Sequence, residues 1–176
     1  MLNVENFKGV LVEATYNKGY EDYWKDVSKA ISDYITTNAE ISATYVGNIG
    51  IIPSILNGTV HKFHASLMIS SNVLKSAAAE AGVAGLNVAM SIELSKTKMG
   101  ESQNGLFTIV IPVIFISNYF VVYFPDDDYQ SVIDKMANGI INAVMNSVPL
   151  PLSLASPAQV VASDGSTGAL TIVGIA

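Results

Sequence analysis

Leu106-Phe-Thr-Ile-Val-Ile-Pro-Val-Ile-Phe-Ile-Ser-Asn-Tyr-Phe-Val-Val-Tyr-Phe124 is the stretch whose reading decides the fold, because its 19 positions carry no charge. A helix that crosses a bilayer needs roughly 17–25 such residues, so a membrane span and a buried strand compete for it. Composition separates them. Ile, Val, Phe and Tyr dominate, there is one Leu, and Ala and Gly are absent. β-Branched and aromatic side chains suit a pleated surface packed on both faces. Pro112 would remove a helical hydrogen bond near the middle, and Ser117-Asn118 interrupts the run, leaving strands of ordinary length on either side. The stretch reads as a buried strand or strand pair, with membrane insertion of 106–124 ranked below it.

Upstream of this run, Lys96 to Gly105 is polar and predicts a mobile hairpin loop. Before it comes the cleanest alternation in the chain. Leu86, Val88, Met90, Ile92 and Leu94 fall on one face and Asn87, Ala89, Ser91, Glu93 and Ser95 on the other, which predicts a strand. Ser71-Asn72 predicts the cap of a short alanine-rich helix that runs to about Ala81 and closes at Gly82. Val60 to Ser70 alternates, with Phe63, Ala65, Leu67 and Ile69 on the apolar face, and Ile41 to Gly47 alternates up to its glycine. Between them, Asn48 to Thr59 reads as loop. Tyr20, Trp24, Val27, Ile31 and Tyr34 or Ile35 recur at helical spacing, predicting an amphipathic helix that stops near Asn38. Asp22 with Lys25, or Asp26 with Lys29, would pair on its surface. Residues 1–19 hold only a short apolar patch, Val10-Leu11-Val12, and read as an arm or edge strand.

Downstream, Tyr129, Val132 or Ile133, Met136, Ile140 and Val144 form the stripe of a second amphipathic helix, ended by Ser147 to Pro151. Leu152 to Ala162 has little periodicity, Asp164-Gly165-Ser166-Thr167-Gly168 is a turn, and Ala169 to Ile175 is a final apolar strand. These elements predict an α+β fold, an antiparallel sheet packed against two amphipathic helices with extended terminal segments. The domain reading is an N-terminal arm or edge strand over 1–19, an α+β core over 20–148, and a C-terminal arm with the final strand over 149–176. An isolated apolar strand needs an edge, either in its own sheet or in a neighbouring subunit.

Half of the 176 residues are hydrophobic, 14% are charged, and mean hydropathy is +0.40. Such a chain fills a sizeable core and leaves apolar surface for partners. Net charge is −6 and the isoelectric point is near 4.7, which gives no basic footprint for nucleic acid. The absence of cysteine rules out disulfides, thiolate metal sites and a cysteine nucleophile. The N-terminus lacks the basic region and apolar core of a signal peptide.

Few residues qualify for chemistry. His61 and His64, three apart on a strand, point to opposite faces and cannot share a metal. Asp126-Asp127-Asp128 lacks the spaced ligands and glycine of a calcium loop, and capping of the second helix accounts for it. Asp164 to Gly168 has no second acidic loop to work with, so its role is chain reversal. No phosphate loop, dinucleotide fingerprint or nucleophile elbow is present. The chain reads as non-enzymatic, with no catalytic residue, no cofactor and no metal assigned.

High apolar content, sparse charge and terminal segments in need of partners point to a structural subunit that assembles with its own copies and with neighbouring structural proteins. The helix running into Asn38-Ala39-Glu40-Ile41, the strand after it, and the ending Gly168-Ala169-Leu170-Thr171-Ile172-Val173-Gly174 resemble small uncharacterised virion proteins of tailed bacteriophages. The resemblance implies a place in the tail, neck or capsid and transfers no functional residue. The location expected is the virion if the protein is of phage origin, and otherwise the cytoplasm. Two other classes stand behind this one: a small-molecule or lipid-binding module enclosing an apolar cavity, and a membrane-active protein inserting 106–124.

Overall fold

The computed structural model describes residues 1–16, 18–50, 56–100, 102–111, 114–150 and 158–176. Among them lie four helices, α1 (Val4–Thr15), α2 (Tyr20–Asn38), α3 (Ser71–Leu94) and α4 (Tyr129–Met145). The strands are β1 (Glu40–Tyr45), β2 (Val60–Ser66), β3 (Lys98–Met99), β4 (Ser102–Asn104), β5 (Phe107–Val110), β6 (Ile114–Ile116), β7 (Val148–Leu150), β8 (Gln159–Ala162) and β9 (Thr167–Ile175). Seven strands form one sheet in the order β3-β2-β1-β9-β8-β5-β4, and β6 pairs with β7 apart from it. Every ladder is antiparallel, so the α+β class with an antiparallel sheet holds.

The two predicted amphipathic helices are present. Trp24, Val27, Ile31, Tyr34 and Ile35 of α2 are buried, and α2 packs on β2. On α4 the buried stripe is Ile133, Met136, Ile140 and Val144, set against α1 and β9. The surface pairs differ from those expected: Lys29 meets Asp33, and Asp26 meets Lys18 at 3.8 Å. Phe63, Ala65, Leu67 and Ile69 are all buried, as their alternation predicts.

Residues 1–19 are no arm or edge strand: 4–15 are helical. Asn3 caps α1 by accepting the Asn6 N–H at 3.0 Å. Phe7, Leu11 and Thr15, four apart, form its buried stripe. Phe7 stacks on Tyr34 with centroids 4.6 Å apart, and the Tyr34 hydroxyl donates to the Asn3 carbonyl at 2.8 Å. Three adjacent apolar residues at 10–12 mimicked a strand, while the anchors that make the helix are spread over two turns.

The C-terminal segment is no arm either. Strand β9 lies inside the sheet, paired with β1 on one side and β8 on the other. The β1–β9 register slips between Ser42 and Ala43, which face Gly174 and Ile172. This bulge leaves Val173 without an opposite number and switches the face of the strand. Leu170 and Ile175 therefore both reach the core despite their odd separation. The aperiodic stretch over 151–157 lies outside the described residues.

A further correction concerns 86–95, of which 86–94 are helical and Ser95 is the cap. In α3 the backbone breaks at Ala81 (φ −135°, ψ 15°) and Gly82 (φ 56°, ψ −139°), where the short helix was expected to close. A straight helix would hold residues 70 and 93 roughly 35 Å apart. Instead the Ser70 N–H donates to Glu93 Oε2 at 2.8 Å. The two arms, 71–80 and 83–94, thus fold back on each other as a helical hairpin. A Cβ at Gly85 would stand 2.4 Å from the Ala77 carbonyl oxygen, so the small residues of both arms permit this approach. Lys96 to Gly105, expected as loop, contributes β3 and β4, and Gly105 (φ 62°) makes the β4–β5 turn.

Candidate functional site

The central run is strand over 107–110 and 114–116, with Pro112 and Val113 outside the described residues. From Ser117 onward it has no ladder partner among the described residues, and α3 holds it. The Ser95 hydroxyl accepts the Ser117 N–H at 3.0 Å, and the Ser91 hydroxyl accepts the Tyr119 N–H at 2.9 Å. The Asn87 carboxamide closes a two-way pair with Val121, accepting its N–H at 3.1 Å and donating to its carbonyl at 3.0 Å. Four helical residues rise about 6 Å and two extended residues advance about 6.6 Å, so positions 87, 91 and 95 meet 121, 119 and 117 in turn. Side chains here take the place of a neighbouring strand.

Below this segment lies α4. A Cβ at Gly139 would come within 2.4 Å of Val121 Cγ2 and 2.9 Å of Tyr119 Cε2, so glycine lets the segment sit directly on the helix. Tyr119 and Val121 are buried there, whereas Asn118, Phe120 and Val122 are exposed.

Beside it is a group of phenols. The Tyr119 and Tyr123 hydroxyls are 3.2 Å apart, and the Tyr129 hydroxyl lies 2.8 Å from Thr15 Oγ1. Burial pushes Tyr23 up to about 12, aided by Tyr123 and Tyr129. Burial likewise raises Tyr119 and Tyr123. Phenols held protonated in this way are poorly suited to proton abstraction near neutral pH.

The polar residues singled out from sequence are dispersed. His61 and His64 occupy β2 opposite Ala43 and Glu40, on opposite faces. Asp128 caps α4 by accepting the Ser131 N–H at 2.7 Å. Asp127 accepts from Lys135 Nζ at 2.6 Å and from the Phe124 N–H at 2.7 Å, which together hold its carboxyl below the usual range. Lys135 also lies 4.5 Å over the Phe124 ring. Asp164 binds the Ser166 N–H and hydroxyl inside the β8–β9 turn. Among the described residues no group of three or more histidines and carboxylates is placed to hold a metal ion.

Two surface grooves border these elements. One, of about 350 Å3, runs between Phe120-Val122 and α4; the other, of about 610 Å3, lies among Thr36, Leu67, Met68, Lys96 and Lys98. Sequence reasoning missed Asn87, Ser91 and Ser95 as a unit. The signal is an amide and two hydroxyls at i, i+4 and i+8, a spacing that also fits one face of a strand. Comparison with family models, curated proteins and solved structures gives no match. Among the described residues no helix is long and apolar enough to cross a membrane.

Proposed function

We propose that the protein is a non-enzymatic structural subunit that assembles with its own copies and with neighbouring structural proteins, as a component of a phage particle in its tail, neck or capsid region. The observation that supports this reading is a set of large apolar side chains left in solvent on the extended segment and on the helix arm that holds it. Phe120 is 71% exposed, Val122 46% and Phe124 59%, while Val88 and Ile92 of α3 are 62% and 56% exposed. Val88 and Ile92 each follow a residue that bonds the extended segment, so both groups flank the same seam. Isolated apolar residues on a surface are ordinary, but a row rimmed by polar groups marks an interaction site. The phage assignment rests on the resemblance of 38–41 and 168–174 to virion proteins.

The test is the mass of the purified chain by analytical ultracentrifugation across concentrations. Concentration-dependent oligomers are expected, weakened by Val88→Asp with Ile92→Asp. A strict monomer at high concentration would overturn self-assembly.

A further inference from the structure

The seam has a second edge that takes no hydrogen bond among the described residues. Ser117, Tyr119 and Val121 turn their main-chain groups toward α3, so in extended chain Asn118, Phe120 and Val122 turn theirs the other way. Among the described residues these three form no hydrogen bond, by main chain or by side chain, and all are exposed. The same edge is covered further upstream. Strand β7 pairs Val148 with Ile116 and Leu150 with Ile114. Pro149 faces Phe115 and has no N–H, so the reciprocal exchanges fall at Ile114 and Ile116, in phase with 118, 120 and 122. The ladder thus stops at residue 116 while the edge runs on.

The groove beside this edge has Phe120 and Val122 on one side and Asp134, Lys135, Asn138 and Asn142 on the other. Both charges are answered within the chain: Asp134 by Lys8 at 3.2 Å and Gln130 at 2.9 Å, Lys135 by Asp127 at 2.6 Å. Asn138 uses its amide on the Asp134 carbonyl, which leaves its side-chain oxygen, and Asn142 leaves its whole carboxamide. The groove therefore selects against a charged occupant and in favour of a donor- and acceptor-rich one. Asn138 and Asn142 stand one helical turn apart, the spacing by which Asn87 and Ser91 already hold alternate residues of an extended chain.

We propose that this groove accepts an extended, uncharged segment of a neighbouring subunit, which adds as a strand to the free edge of Asn118 to Val122. Its alternate side chains would be apolar beside Phe120 and Val122 and amide- or hydroxyl-bearing above Asn138 and Asn142. Strand addition of this kind takes affinity from the main chain and specificity from alternate side chains. The inference deepens the assembly reading and rests on it for the source of the segment.

The test uses a blocked synthetic heptapeptide, Thr-Val-Asn-Val-Asn-Val-Thr, added to isotope-labelled protein and followed by amide NMR. At millimolar peptide, the amides of Asn118, Phe120 and Val122 are expected to shift and gain exchange protection, while those of Ser117, Tyr119 and Val121 hold still. Phe120→Pro removes a free N–H and no internal bond, and is expected to weaken binding at least tenfold with an unchanged melting temperature. The same peptide N-methylated at alternate residues is expected to lose binding to the unaltered chain, whether or not the proline variant folds. No response at 118–122, or equal binding by the methylated peptide, overturns the proposal. A chain that oligomerises yet ignores the peptide refutes the strand-acceptor inference alone. A chain that binds the peptide yet stays monomeric supports the groove and refutes self-assembly.

Discussion

Asn87→Ala is the sharpest probe of the claim that side chains of α3 act as the missing strand beside Tyr119 and Val121. The substitution removes both hydrogen bonds to Val121 and leaves that N–H and carbonyl without a partner, in a contact that is buried. Each unmet buried group costs about 1–3 kcal/mol, so the pair costs roughly 2–6 kcal/mol before any water enters. Total stability for a domain is about 5–15 kcal/mol, which makes this a large fraction. In a chain of this size about 1 kcal/mol moves the melting temperature by roughly 2–4 °C, so a fall of about 4–24 °C is expected by calorimetry at pH 7. Asn87→Asp supplies an internal check. Ionised, it still accepts the Val121 N–H but sets an oxygen against the Val121 carbonyl; protonated, it regains a donor. Its deficit relative to the unaltered chain should therefore shrink as pH falls toward the carboxylate range. An alanine variant that melts within about 1 °C of the unaltered chain would refute the argument, since the bonds would then carry no net stability.

Other perturbations test the surrounding layers. Gly139→Ala forces a methyl into Val121 and Tyr119; overpacking of this kind costs about 1–3 kcal/mol, reduced by up to about 1 kcal/mol of gained helix propensity, and urea unfolding should show net destabilisation. Ile31→Asp and Ile140→Asp each bury an unpaired charge, at a cost of several kcal/mol, and neither variant should give a cooperative native melt. Burial raises Tyr23, Tyr119 and Tyr123 above the ordinary 10.0, so the folded chain keeps protons that the unfolded chain releases. Their contribution is therefore complete below pH 10 and lost as pH rises above it, and melting temperature should fall through that window, less steeply in Tyr23→Phe.

How much was legible depended on how far each signal was local. The stripes of α2 and α4 were readable because residues three and four apart share one helix face whatever surrounds them. Strand character at 107–110 and 114–116 followed from β-branched and aromatic content, and the break at Gly82 followed from the one residue type that adopts positive φ freely. The error at 86–95 has an equally physical cause. Leu86, Met90 and Leu94 lie two steps apart in a strand pattern and one turn apart in a helix, so a period of two contains a period of four. Val88 and Ile92 broke the tie toward strand, yet both are exposed.

What the sequence by itself determined was the class, an antiparallel α+β fold with no readable chemical site. Tertiary structure alone decided the partners. Main-chain groups of 117, 119 and 121 must be satisfied somewhere, but no local rule says whether a strand or the side chains of a folded-back helix will do it. The central place of β9 was likewise undecidable from its own apolar residues, because any free edge would satisfy them. Only the positions of β1 and β8 on either side of β9, set by long-range packing, put the last strand inside the sheet, while Asn118 to Val122 has no strand partner among the described residues.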